Sequence, residues 1–142
     1  MRGYKGSTGS KSYLDFSIYK NISVQLMEPV EPFQLFQLVS MQQISPEELK
    51  DKLSANKTIF LVDVREPYEH EAFNIGGALI PLPEIISRYS EIPEDKMVIV
   101  YCKMGIHSRI AIQRLQEKFG FTNLINLKGG MESWKKVFGS EF

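Results

Sequence analysis

The chain has 142 residues, and its 17 Lys plus Arg stand against 17 Asp plus Glu, leaving no formal net charge. That balance excludes a basic nucleic-acid or anionic-membrane binder, because both partners are held through a surplus of cationic side chains. A composition 43% hydrophobic and 24% charged belongs to a globular chain rather than a disordered one, and at about 150 residues per domain the length predicts one.

The opening MRGYKGSTGSKS carries basic side chains with no apolar stretch behind them, so residues 1–13 read as a flexible leader and not as a secretory signal. Leu14, Phe16 and Ile18 alternate before Tyr19-Lys20-Asn21, and Ile22, Val24 and Leu26 alternate after it. A period of two on both sides of a polar turn predicts a β-hairpin over 14–27. Pro29 and Pro32 interrupt the pattern from Met27 to Gln43, which predicts a linker with Phe33, Leu35, Phe36 and Leu38 laid on a neighbouring surface. Hairpin and linker together occupy 14–43, and the main domain is expected over 44–138.

Ser45-Pro46-Glu47-Glu48 is a helix start with a mechanism. Ser45 caps the free N–H groups, Pro46 fits the first helical position, and Glu48 completes a capping box. The helix is expected to end near Asn56. Thr58–Asp63, short and rich in β-branched side chains, predicts a strand buried on both faces. A charged segment follows from Arg65 to Glu71, and Gly76-Gly77 marks a tight turn before a brief strand at Ala78–Ile80, stopped by Pro81. Leu82–Tyr89 reads as a short helix, Lys96–Tyr101 as the most hydrophobic strand, and Ser108–Phe119 as an amphipathic helix closed by Gly120. Asn123–Leu127 is a further strand, Lys128-Gly129-Gly130 a turn, Met131–Phe138 a last helix and 139–142 a tail. Strands alternating with helices predict an α/β domain around a mostly parallel sheet.

Cys102 is the single cysteine, so an internal disulfide is impossible and a reducing, cytoplasmic setting is expected. The longest unbroken apolar run, Met97–Cys102, is far short of the roughly 18 residues a bilayer span needs. In parallel sheets ligands bind beyond the carboxyl ends of the strands, where loops run into helix N-termini. Cys102 falls there. The loop after it, Lys103-Met104-Gly105-Ile106-His107-Ser108, is built to turn successive backbone N–H groups on one point; the helix macrodipole, Lys103 and Arg109 add positive potential. A lone cysteine after an apolar strand is ordinarily an inert core residue. This sequel instead predicts a thiolate at neutral pH.

Four segments carry a family resemblance. Asp63-Val-Arg-Glu-Pro-Tyr-Glu69, Gly76-Gly-Ala-Leu-Ile-Pro-Leu82, Tyr101-Cys-Lys-Met-Gly-Ile-His-Ser108 and Leu127-Lys-Gly-Gly-Met-Glu-Ser-Trp134 resemble, in order and spacing, the signatures of rhodanese-like sulfurtransferase domains. The resemblance implies a rhodanese α/β fold, a central parallel sheet of five strands with helices on both faces. It also implies that Cys102 carries sulfane sulfur as a persulfide, with the loop from Lys103 to Ser108 as the anion-binding cradle and no cofactor or metal. Asp63 and Arg65 are similar to a pair at the mouth of the family's site; an ion pair bracing the loop and a direct contact with substrate both remain open. Most active members place Arg five residues after the cysteine, where this chain has His107. Loss of arginine's planar fork predicts that thiosulfate is a poor donor, and that sulfur comes from a protein persulfide, such as that of a cysteine desulfurase, or from a polysulfide. Asn74, standing where relatives often have His, reads as turn support. His70 is expected in solvent among acids, Trp134 in the core, and Gly129 and Gly130 as turn residues.

The rivals are weaker. A cysteine phosphatase wants Arg six residues after the nucleophile, and that residue is Ser108, with Arg109 one place late. One Cys and the two His, His70 and His107, do not furnish a structural zinc site, and neither a Walker loop nor a G-x-S-x-G elbow occurs. A non-catalytic rhodanese-fold interaction module is the alternative from a different class. Finally, a terminal hairpin ahead of such a domain is similar to the end of adenylyltransferases that prime sulfur carriers for molybdopterin or thiamin synthesis, which would make a ubiquitin-like carrier protein the acceptor and this chain a fragment or relative of such a fusion.

Overall fold

A computed structural model describes residues 41–55 and 57–140. The expected leader, the hairpin over 14–27 and the linker up to residue 40 lie outside the described residues. In chain order the elements are β1 (Gln43–Ile44), α1 (Pro46–Ser54), β2 (Ile59–Asp63), α2 (Pro67–Ala72), β3 (Ala78–Leu79), two 3-10 turns (Leu82–Glu84 and Tyr89–Glu91), β4 (Met97–Tyr101), α3 (Ile106–Phe119), β5 (Leu124–Leu127) and α4 (Gly130–Phe138). The five strands form one sheet in the order β1-β5-β4-β2-β3, and every neighbouring pair is parallel.

The cap of α1 forms as the sequence dictates: Ser45 Oγ accepts the Glu48 N–H at 3.1 Å, and Glu48 Oε1 accepts the Ser45 N–H at 3.0 Å. Four readings need correction. Gln43 is not linker but part of an edge strand, in register with Asn126. The charged stretch after β2 contains α2, started by Pro67 and by Glu69, whose carboxylate accepts the Glu66 N–H at 3.3 Å. Leu82–Tyr89 does not make one helix; tight turns take its place, with Ile85 N–H on Leu82 O and Ile92 N–H on Tyr89 O. Few of its residues are buried, so packing does not repay the unfavourable nucleation of an α-helix. Finally, α3 opens at Ile106 rather than Ser108, and α4 at Gly130 rather than Met131.

Both faces of the sheet are covered. On one, Val62, Val98, Val100 and Leu124 pack with Ala111, Ile112 and Leu115 of α3 and with Ile80, Ile85 and Ile92. On the other, Leu61, Ile99, Tyr101 and Leu127 pack with Leu49 of α1 and with Met131 and Trp134 of α4. A strand in such a sheet alternates its side chains between two buried layers, which is why β4 reads as one continuous apolar run. This is the five-stranded parallel α/β architecture that the resemblance implies. No helix among the described residues is long and apolar enough to cross a membrane.

The strand order fixes where a ligand can go. From β2 the chain crosses to β3 at one edge; from β4 it crosses the other way, to β5. The loops leaving the carboxyl ends of β2 and β4 therefore diverge and leave a crevice between them. Asp63 ends β2 and Cys102 follows β4.

Candidate active site

Cys102 is 2% exposed, yet its sulfur is not surrounded by hydrocarbon alone. The Gly105 N–H donates to Sγ at 3.0 Å and the Ser108 N–H at 3.3 Å, while Ser108 Oγ lies 3.3 Å away. Gly105 makes this possible. Its φ of +91° is a left-handed conformation that turns the chain sharply into α3, and a Cβ there would lie 3.1 Å from the Gly129 nitrogen. Because α3 begins at Ile106, the Ser108 amide belongs to the helix's first turn, where backbone N–H groups have no intrahelical partner. Cys102 Sγ itself takes these two donors. Both N–H groups, and the positive end of the α3 dipole, are directed at the sulfur.

The carbonyls of the same loop are held from the opposite side. Met131 N–H donates to Cys102 O and Glu132 N–H to Lys103 O, each at 2.9 Å, so the first turn of α4 fixes which way these peptide units face. Gly130 allows that approach: at φ +61°, a Cβ would come within 2.5 Å of Cys102 O and 2.6 Å of Lys103 O. Gly129 and Gly130, read from the sequence as turn residues, form the junction between α4 and the cysteine loop.

A cavity of about 170 Å³ opens over the cysteine, lined by Cys102, Lys103, Met104, Ile106 and His107. Met104 and Ile106 are 51% and 59% exposed and give this opening an apolar rim. Lys103 and His107 are exposed on it; Arg109, also exposed, lies on α3 outside that lining.

Across the crevice Asp63 and Arg65 form a buried pair. Arg65 Nε donates to Asp63 Oδ1 at 2.9 Å and Nη2 to Oδ2 at 2.7 Å, while Nη2 also donates to Phe73 O at 2.7 Å. Burial works against the Arg65 charge, but the hydrogen bonds and charge of Asp63 outweigh it and hold the guanidinium above its ordinary pKa. His70 is not a solvated residue. Its side chain is 20% exposed, and its Nδ1 lies 2.8 Å from Asp63 Oδ2, so Asp63 ties the end of β2 to α2. Asn74 closes the following turn by accepting the Gly76 N–H at 2.8 Å. Tyr101, whose phenol is pushed up by burial and then by the Asp63 charge, donates to Gly76 O at 2.9 Å.

One residue at the sulfur escaped sequence reasoning. Asn126 of β5 accepts the Ser108 hydroxyl through Oδ1 and is 1% exposed. Its signal was a polar side chain inside the run Leu124-Ile-Asn-Leu127.

The family model of the rhodanese-like domain matches residues 45–137. The chain belongs to the rhodanese-like family. Over 96 residues it is 38% identical to a probable adenylyltransferase/sulfurtransferase MoeZ of Mycobacterium tuberculosis, a match covering 66% of this chain and 24% of that protein. With a sulfurtransferase of Allochromatium vinosum the identity is 35% over 97 residues, covering 68% of this chain and 90% of the relative. The crystal structure of a rhodanese-like domain protein from Staphylococcus aureus superposes with a TM-score of 0.61 at 28% identity, covering 66% of this chain and 91% of that one. The rhodanese-like domain thus spans about a quarter of the MoeZ relative and nearly the whole of the other two.

Proposed function

We propose that this rhodanese-like domain is a sulfurtransferase in which Cys102 is the catalytic residue and carries sulfane sulfur as a persulfide. The observation that carries the reading is the pair of backbone N–H groups, from Gly105 and Ser108, aimed at a sulfur on the floor of an open cavity. The relatives named sulfurtransferases support the same reading at the level of reaction class.

The chemistry takes two displacements. The Cys102 thiolate attacks the outer sulfur of a donor persulfide; the new S–S bond forms as the old one breaks, and the donor's inner sulfur leaves as a thiolate with the bonding pair. The terminal sulfur of Cys102 is now the anion. It lies one S–S bond farther out, and the Ile106 and His107 N–H groups, which have no intrahelical partner in the first helical turn, are the donors available to it. A nucleophilic acceptor then attacks that terminal sulfur, and Cys102 returns as a thiolate.

The rim supports the choice of donor. Met104 and Ile106 present apolar surface, which a protein-borne persulfide can cover and a small hydrated oxyanion cannot use. At position 107 there is no guanidinium fork for thiosulfate. A protein persulfide, such as that of a cysteine desulfurase, or a polysulfide is therefore the donor class. A ubiquitin-like sulfur carrier with an activated C-terminus is a second acceptor class, a reading supported by the adenylyltransferase/sulfurtransferase relative. There the terminal persulfide sulfur attacks the activated carbonyl carbon and the activating group leaves. Two external thiols then reduce the resulting acyl disulfide to the carrier thiocarboxylate and the Cys102 thiolate, themselves becoming a disulfide.

Intact-mass measurement after incubation with a loaded cysteine desulfurase, and separately with thiosulfate, tests this. The expected result is a gain of one sulfur atom from the desulfurase, little from thiosulfate, and none in Cys102→Ser. A wild-type domain that stays unmodified with every donor would overturn the assignment and leave a non-catalytic interaction module.

A further inference from the structure

A chain of side-chain hydrogen bonds leads from the sulfur to the edge of the sheet. Ser108 Oγ, 3.3 Å from Cys102 Sγ, donates to Asn126 Oδ1. Asn126 Nδ2 donates to Gln43 Oε1 at 3.0 Å and lies 3.5 Å from Gly105 O. Cys102, Ser108 and Asn126 are buried, with Cys102 at the floor of the cavity, whereas Gln43, on the two-residue strand β1, is exposed.

The direction of this chain depends on the charge of the sulfur. A serine hydroxyl has one proton to give. While Ser108 gives it to Asn126, the contact between Oγ and Sγ is a hydrogen bond only if the sulfur is the donor, which requires the protonated thiol. Once the sulfur is a thiolate, the contact calls for the Ser108 proton, and Asn126 Oδ1 loses its donor in a buried site, a costly state. Turning two amides resolves the conflict. With Asn126 reversed, Nδ2 faces Ser108 Oγ and Oδ1 faces Gln43, whose own amide turns to donate Nε2. Two arrangements are therefore self-consistent: one directed outward from S–H through Ser108 and Asn126 to Gln43, and one directed inward from Gln43 to the anionic sulfur. The amide orientations in the structure are those of the outward arrangement, and Gly105 O facing Asn126 Nδ2 favours them.

We propose that Asn126 and Gln43 are positioning residues that couple ionisation of Cys102 to the direction of this relay. The inference deepens the persulfide reading and rests on it, because the thiolate is the form that takes up sulfur. On ionisation the thiol proton leaves to solvent through the cavity, the Ser108 proton turns from Asn126 to sulfur, and the amides reverse; no covalent bond other than S–H breaks. An exposed edge residue far from Cys102 in sequence thereby sets how readily it ionises.

Cys102 is the single cysteine of the chain, so iodoacetamide alkylation followed against pH reports on it alone. Gln43→Lys leaves only donors at the outer end and so imposes the inward direction. The expected result is alkylation at about pH 6 faster by roughly threefold to tenfold, the range spanned by one net hydrogen bond. An added positive charge would act in the same sense across space, so the same substitution is made in Ser108→Ala, where the relay is cut and the charge remains. The gain should vanish there, and in the Ser108-containing protein it should survive high salt, which screens exposed charges. A gain undiminished in Ser108→Ala, a gain abolished by salt, or no gain at all would overturn the relay. Sulfur loading is read separately by mass on the wild-type protein: a domain that alkylates as described but never gains sulfur refutes the sulfurtransferase reading, and the Gln43→Lys comparison alone decides the relay.

Discussion

A histidine at position 107 stands on the cavity where a fixed, forked cation would grip a sulfur oxyanion. His107→Arg supplies that fork on an exposed position, so it is expected to leave stability within about 0.5 kcal/mol. Thiosulfate kcat/KM should rise by about tenfold, the worth of one charge-assisted hydrogen bond. Steady-state thiosulfate:cyanide assays check this, and an unchanged kcat/KM in a protein that still loads from a persulfide donor would show that residue 107 does not choose the donor. At this scale the local part of the site was legible in the sequence. Cys102, Gly105 and Ser108 lie within one short segment, and the spacing of a strand end, a glycine and a helix start is enough to aim amides at a sulfur. Asn126 and Gln43 were not legible as site residues, because Asn126 meets Ser108 only where α3 lies on β5, and Gln43 meets Asn126 only through the pairing of β5 with β1. The amide of Ser108 was expected but for a different reason, as part of a loop rather than of a helix's first turn.

Helix starts show what a sequence pattern can and cannot reveal about an element. The box at Ser45 and Glu48 was readable because serine is an efficient N-cap; the start of α2 at Glu66-Pro67-Tyr68-Glu69 has the same proline and the same returning carboxylate but a glutamate at the cap and no buried side chain, so neither the cap nor an apolar stripe announced it. Ser45→Ala removes a hydroxyl that accepts the Glu48 N–H, and is expected to lower unfolding stability by about 1 kcal/mol, measured by urea denaturation. The effect has a pH signature. The Glu48 carboxyl is held below its ordinary range by the Ser45 backbone N–H first and the Ser45 hydroxyl second. A carboxylate depressed on folding contributes stability that is present above its unfolded pKa and is lost as pH falls through the folded value. The backbone contact survives in Ser45→Ala, so only the hydroxyl's share of the gap between wild type and variant should narrow on acidification, and a gap independent of pH would mean that the Ser45 hydroxyl does not act on the Glu48 carboxylate.

Across the whole domain, the cysteine loop is held between the two layers that cover the sheet. Helix α3 of one layer grows directly out of the loop, and α4 of the other donates two amides to its carbonyls, so the direction of each peptide unit around the sulfur is fixed from both sides. Gly130 is where the second layer meets the loop, and Gly120 offers a comparison built into the same fold. Both have positive φ, +61° and +74°, but a Cβ at Gly130 collides with two loop carbonyls while one at Gly120 meets nothing within 4 Å. Gly120→Ala should therefore show the conformational penalty alone, about 1 kcal/mol, with Cys102 alkylated as in wild type. Gly130→Ala adds overpacking against backbone that cannot rotate away, a further loss of about 1–3 kcal/mol. Because the displaced carbonyls belong to Cys102 and Lys103, the amides of Gly105 and Ser108 lose their aim at the sulfur. Alkylation at about pH 6, which follows the thiolate fraction, should slow well below that of Gly120→Ala. Urea unfolding and alkylation rates on the two variants make the comparison; if they match in both, the grip of α4 on the loop is not what orients the donors, and α3 alone must hold the cysteine site.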